Sequence, residues 1–187
     1  MTARRRFIGG FTLLELMTSI TILGVLLGIG VPAFTETMAA NRLTANTNQL
    51  VTALSVARSE ASKRGIAVTV CATNAAQDAC SGSASWNDGW MVFTDDIGTS
   101  GTLDPPPVPG DPGDAVVEVF PAPVTGFTVT STFPVAMTYV RFLRSGSPDT
   151  AILSRTLKLS RPTCTGNHAR QVSISNTGRI SSEKFAC

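Results

Sequence analysis

Residues 11–31 read FTLLELMTSITILGVLLGIGV, 21 positions with a single formal charge, Glu15. As a helix rising 1.5 Å per residue, this run spans about 32 Å, enough to cross the hydrocarbon core of a bilayer. Arg4, Arg5 and Arg6 stand just before it, and the positive-inside rule puts that end on the cytoplasmic side. Everything after about Pro32 is then expected across the membrane. A secretory signal cut near Thr37-Met38-Ala39 competes, but its apolar run is normally shorter. Neither that reading nor a plain signal anchor accounts for a carboxylate near the start of the run. An ionisable residue inside a membrane segment is costly and marks a function.

The rest of the chain is long enough for one further domain with a core of its own. A single histidine among 187 residues excludes any multi-histidine metal site. Four cysteines, at 71, 80, 164 and 187, form no C-x-x-C pair, which argues against a zinc knuckle or a thioredoxin-type redox site. Their even number and scattered spacing fit two disulfides and an oxidising compartment. The net charge of +2 hides a segregation: residues 65–138 hold eight acidic groups and no Lys or Arg, while residues 139–187 hold eight basic groups and two acidic ones. One part of the folded domain is therefore expected to be acidic and another basic, which bears on partners.

Gly10-Phe11-Thr12-Leu13-Leu14-Glu15, behind a short basic leader, resembles the processing site of type IV pilins and type II secretion pseudopilins. The resemblance implies cleavage between Gly10 and Phe11 by a prepilin peptidase and N-methylation of the new Phe11 amine. Removal of ten residues leaves a mature chain of 177. Glu15 becomes its fifth residue and Pro32 its twenty-second, where such proteins usually carry those residue types. In an apolar filament core, Glu15 can neutralise the positive terminus of a neighbouring subunit, and desolvation strengthens such a pair. Residues 28–33 also spell G-x-G-x-x-A, but no strand precedes them and Pro32 lies within, so a nucleotide site is rejected. Gly24 and Gly28 form a G-x-x-x-G; with Gly30 and Pro32 these residues are read chiefly as a local weakening or break of the helix.

Beyond Pro32 the helical period continues to about residue 64. Leu43, Leu50, Val51, Leu54, Ala57 and Ala61 share one face, and Asn46, Gln49, Arg58 and Lys63 are assigned to the other. Gly65 after Lys63-Arg64 reads as a C-cap. From residue 66 the pattern turns to short β segments, with candidates at 66–71, 89–93, 116–120, 127–131, 137–143, 151–159 and 170–175, separated by Pro and Gly. The expected fold is α+β: a long N-terminal helix, transmembrane in its first half, packed on a C-terminal antiparallel β-sandwich-like domain. The expected organisation is a leader at 1–10, a membrane or filament-core helix at 11–31, its amphipathic continuation at 32–64, and a β-rich periplasmic domain at 65–187. Residues 99–114, rich in Pro and Asp, read as a long exposed hairpin loop.

Trp86-Asn87-Asp88-Gly89-Trp90-Met91-Val92-Phe93-Thr94-Asp95 resembles the W-x-x-G-W-x-V-F-x-D stretch of the GspH/FimT class of pseudopilins and minor pilins. The cysteines, taken as the pairs Cys71–Cys80 and Cys164–Cys187, are similar to the FimU/FimT minor-pilin branch. Residues 170–180 are similar to the last strand and turn of that class. Four cysteines allow three connectivities, and the residues alone leave all three open.

Catalytic chemistry is absent from the pattern. His168 sits in a polar loop and reads as a surface residue, no serine lies in a G-x-S-x-G elbow, and both tryptophans read as core or turn residues. Asp95, Asp96, Asp104, Asp111 and Asp114 offer oxygen ligands, yet their spacing matches no EF-hand and a solvated loop is the simpler reading. Arg161, His168, Arg170, Arg179 and Lys184 make a phosphate-binding patch conceivable. Relatives of the FimT type bind DNA through a terminal G-R-x-R; here Gly178-Arg179-Ile180-Ser181 lacks the second arginine, so DNA is not favoured. The resemblance thus implies a minor type IV pilin rather than an enzyme, with no cofactor and no metal. Its expected partners are other minor pilins, the major pilin (or pseudopilins), prepilin peptidase and the inner membrane. Type II secretion and DNA uptake stand as alternatives.

Overall fold

The computed structural model describes residues 10–106, 113–123, 126–133, 137–149, 155–162, 164–166 and 168–187. The leader arginines Arg4, Arg5 and Arg6, the loop residue Asp111 and the expected strand start at 151–154 lie outside them. The chain divides into two compact units, Met1–Ala40 and Asn41–Cys187. One helix, α1 (Leu13–Arg64), contributes to both.

In the first unit Thr12 is the N-cap: the Glu15 N–H donates to Thr12 Oγ1 at 3.2 Å, and the Leu16 N–H to the Thr12 carbonyl at 3.1 Å. Thr12-x-x-Glu15 therefore has the spelling of a capping box. The large apolar side chains from Phe11 to Phe34 are 55–85% exposed, and the run carries one formal charge, Glu15, from Phe11 to Val31. The helix is thus long and apolar enough to cross a membrane. It runs through Pro32 without interruption, which corrects the break expected there. A proline removes a single N–H, and the remaining turns on both sides hold the backbone helical.

The second unit is built on the last turns of α1. Leu43, Leu50, Ala53, Leu54, Ala57 and Ala61 are buried in the main core. Asn46 is buried as well, at 4% exposure, which corrects its assignment to the polar face. It lies three residues after Leu43 and four before Leu50, so helical geometry puts it on their stripe whatever its polarity. The helix stops at Gly65, whose N–H still reaches the Ala61 carbonyl at 3.0 Å.

Eight strands follow: β1 (Val68–Ala72), β2 (Trp90–Thr94), β3 (Val116–Phe120), β4 (Thr128–Phe133), β5 (Tyr139–Phe142), β6 (Arg155–Ser160), β7 (Ala169–Ile174) and β8 (Ile180–Phe185). They form two four-stranded antiparallel sheets, ordered β3-β2-β1-β5 and β4-β6-β7-β8. Alternation along the strands explains the core. Val68, Val70, Ala72, Trp90, Val92, Val140 and Phe142 of the first sheet, and Val129, Leu157, Leu159, Val172 and Ile174 of the second, join the helix stripe in one cluster. Cys71, Met91 and Phe93 point to the opposite face of the first sheet, where Cys80, Leu103 and Tyr139 cover them. That second layer is why all five residues of β1 and of β2 are buried.

β8 corrects the reading of residues 170–180 as the last strand and turn. Ile180–Phe185 pairs along the full length of β7. It went unseen because its side chains are largely exposed and show no apolar alternation. As a sheet edge it needs only one neighbour, and its Ser, Glu and Lys side chains suit a solvated edge.

Candidate assembly site and structural signature

Every hydroxyl in the apolar run is satisfied by its own helix. Thr18 Oγ1 and Ser19 Oγ donate to the Glu15 carbonyl at 3.0 and 2.7 Å, and Thr21 Oγ1 donates to the Met17 carbonyl at 2.8 Å. Such back-bonding lets hydroxyls sit in an apolar medium. Thr12 Oγ1 serves as the cap. Among the described residues of the run, the Glu15 carboxylate is the side chain left without a partner. A carboxylate of this kind is costly in an apolar surround unless a cation pairs with it. Gly10 and Phe11 are exposed ahead of the first helical turn, so the Gly10–Phe11 bond lies outside the helix.

The W-x-x-G-W-x-V-F-x-D stretch builds the sheet rather than a ligand pocket. Trp86 is fully buried and its Nε1–H donates to the Met137 carbonyl at 3.0 Å. Trp90 is fully buried beside Phe120, with ring centroids 6.5 Å apart. Gly89 has a φ of 107°, and a Cβ there would meet the Phe120 carbonyl. Val92 enters the main core and Phe93 the second layer.

Asp95, the last residue of that stretch, is fully buried. Its Oδ2 accepts from Thr69 Oγ1 at 2.5 Å and from the Gly101 N–H at 2.8 Å, and lies 3.3 Å from Arg141 Nε. Arg141 also donates from Nη1 to Asp149 at 2.7 Å and from Nη2 to the Asp95 carbonyl at 2.7 Å. Burial pushes the Asp95 carboxyl above the usual range, and the Thr69, Gly101 and Arg141 interactions oppose that rise. This network ties the loop after β2 to β1 and β5.

The described part of the β2–β3 loop is not the free, solvated loop expected for 99–114. Asp114 accepts from the Asp96 and Asp104 N–H groups at 3.3 and 3.0 Å, and Asp104 accepts from the Thr99 N–H at 2.6 Å. Leu103 packs on the second layer, and Gly101 lies against the Tyr139 ring. The carboxylates are engaged by backbone amides, and no cluster able to hold a metal ion occurs among the described residues.

The cysteines are joined as Cys71–Cys80 and Cys164–Cys187, with Cα separations of 5.6 and 5.5 Å. The first staples the second layer and the second ties the end of β8 to residues before β7. Of the basic candidates, Arg170 and Lys184 face each other across β7 and β8. Arg179 lies in the turn at the far end of the same hairpin, exposed beside Arg58, Ser59 and Ile180. His168 is exposed and Arg161 half-buried. The structure therefore joins two of the expected cations and sets Arg179 apart.

A family model described as type II transport protein GspH matches residues 46–178. The chain belongs to the GspH family. A model of the prokaryotic N-terminal methylation motif matches residues 5–31, so the GspH domain follows a pilin-type N-terminus. Among solved structures, the Pseudomonas aeruginosa type IV minor pilin FimU is similar over 80% of this chain and 92% of its own, at 22% identity and a TM-score of 0.57. The minor pseudopilin EpsH from the type 2 secretion system of Vibrio cholerae is similar over 78% of this chain and 97% of its own, at 11% identity and a TM-score of 0.44. No curated protein sequence matches the chain. The protein is a pilin or pseudopilin of the GspH class, a family of structural subunits that assemble with other pilins.

Two arginines that carry this GspH domain take places that the sequence pattern does not signal. Arg58 was assigned to a polar face; its guanidinium donates to the Gly178 and Thr177 carbonyls at 2.8 and 3.1 Å and joins α1 to the β7–β8 turn. Arg141 drew no attention, because an arginine in a strand of otherwise apolar residues signals nothing until its buried partner Asp95 is known.

Proposed function

We propose that the chain is a minor type IV pilin of the FimU/FimT branch. In this reading prepilin peptidase removes residues 1–10, Phe11 is N-methylated, and residues 11–31 hold the subunit in the inner membrane with the β domain in the periplasm. The subunit joins other minor pilins in a complex that primes pilus assembly and ends at or near the tip. The observation that carries the reading is the Glu15 carboxylate, partnerless in a run whose hydroxyls are all internally satisfied, five residues into the mature chain. A lone membrane anchor gains nothing from such a group, whereas a filament subunit gains a docking contact.

Sheared surface pili from an in-frame deletion strain, its parent and a complemented strain test the proposal. Pili lost on deletion and restored by complementation are expected; normal pili in the deletion strain contradict priming. The GspH family description supports a second reading, a type II secretion pseudopilin. Under that reading the same deletion leaves pili intact and lowers the export of folded proteins.

A further inference from the structure

Arg170 on β7 and Lys184 on β8 are direct register partners. Opposed residues of an antiparallel pair share one face with Cα atoms about 4.5–5.5 Å apart. Like charges so placed are destabilising. Among the described residues neither side chain has an ion-pair or hydrogen-bond partner. The two acidic residues of the basic C-terminal third are both engaged elsewhere: Asp149 with Arg141 at 2.7 Å, and Glu183 with Gln171 at 3.4 Å. Glu183 also points to the opposite face from Lys184, as successive strand residues do.

We propose that Arg170 and Lys184 form a docking point for carboxylates on a neighbouring pilin-class subunit. The proposal rests on the assembly role given above. A localised pair of cations suits one or two carboxylates. A nucleic acid duplex demands a longer row of cations along its phosphates, and no such row runs along β8: from Lys184 the strand carries no further cation back to Ile180, four residues or about 13 Å away, with Arg179 just beyond. This chain itself carries a complementary surface: residues 65–138 hold eight carboxylates and no cation, and Asp78, Asp88, Asp96 and Glu118 are exposed. A neighbour built alike presents carboxylates free of competing cations, and charge complementarity selects its orientation. The like-charge pair is then a stability cost retained for binding, as functional sites often are.

The test uses the full chain in piliated cells, with a photo-crosslinking amino acid in place of Ser182, exposed on the same face as Lys184. Expected is an adduct to a pilin-class subunit at a segment bearing Asp or Glu, reduced at least roughly tenfold by Lys184→Glu or Arg170→Glu. Lys184→Glu turns a like-charge pair into an opposite one, so the full chain in detergent is expected to melt at the same or a higher temperature while losing the adduct. Lys184→Gln should show the same divergence. An adduct undiminished by charge reversal, a nuclease-sensitive adduct, the absence of any adduct, or a loss that only follows a fall in melting temperature overturns the proposal. Pilus counts in the same strains separate the two readings. Normal pili on deletion remove the priming role, whereas full piliation and an undiminished adduct with the reversed charge remove the docking point alone.

Discussion

Gly178 sits in the β7–β8 turn with a φ of 77°, and a Cβ there would collide with the Gly146 carbonyl of another turn. Backbone cannot yield as a flexible side chain can, so Gly178→Ala combines left-handed strain with a clash. A loss of about 2–4 kcal/mol is expected. Gly82→Ala is the control: its φ is 65°, but nothing lies within 4 Å of the added Cβ, and roughly 1 kcal/mol of strain is expected. Thermal melts of the two variants in detergent check the difference; equal losses would mean that the turn does not pack as described.

Asp95 makes a second residue-scale test, and its sign follows from burial. A carboxyl whose folded pKa is raised contributes stability below its unfolded pKa and loses it as pH rises through the folded value. Asn at this position does not titrate. The melting temperature of Asp95→Asn minus that of the parent is therefore expected to grow more favourable from pH 4 to pH 7. A difference that instead falls with pH would show that the Arg141 pair outweighs desolvation. Asp95→Ala, which leaves Thr69 Oγ1 and the Gly101 N–H without their acceptor and Arg141 with Asp149 as its remaining carboxylate, should cost about 2–4 kcal/mol.

Among the elements, the helix and the β7–β8 hairpin share the main core, and one guanidinium clamps the helix to the hairpin's turn. Arg58→Ala removes two charge-assisted bonds to the Thr177 and Gly178 carbonyls and is expected to cost roughly 1–3 kcal/mol. Amide exchange at 175–180 should quicken with it while β1 and β2 stay protected; uniform quickening would contradict a local clamp. The elements also show what the sequence made legible. The apolar run, the C-cap at Gly65 and the buried tryptophans were readable because periodicity, glycine and aromatic bulk act locally. β8 was not, because an edge strand with solvated side chains carries no alternation. Asn46 was not legible either, because its angular position on the helix, not its polarity, decides its burial. The Asp95–Arg141 pair joins residues 46 positions apart, and only the antiparallel register of β1, β2 and β5 brings them together.

For the whole molecule, the two units divide the work: an apolar helix with one partnerless carboxylate, and a two-sheet domain whose signature residues maintain its fold. Glu15→Ala is expected to leave processing and folding intact while cutting recovery of the chain in sheared filaments at least roughly tenfold when wild-type neighbours are present. Equal recovery would remove Glu15 from docking.

The most direct measurement is N-terminal peptide mass spectrometry on this chain recovered from sheared surface filaments. The expected result is a chain that begins at N-methylated Phe11 and is enriched with the filaments. A chain that retains residues 1–10, or is missing from the filament fraction while abundant in the membrane, would contradict the proposal that it is an assembled pilus subunit.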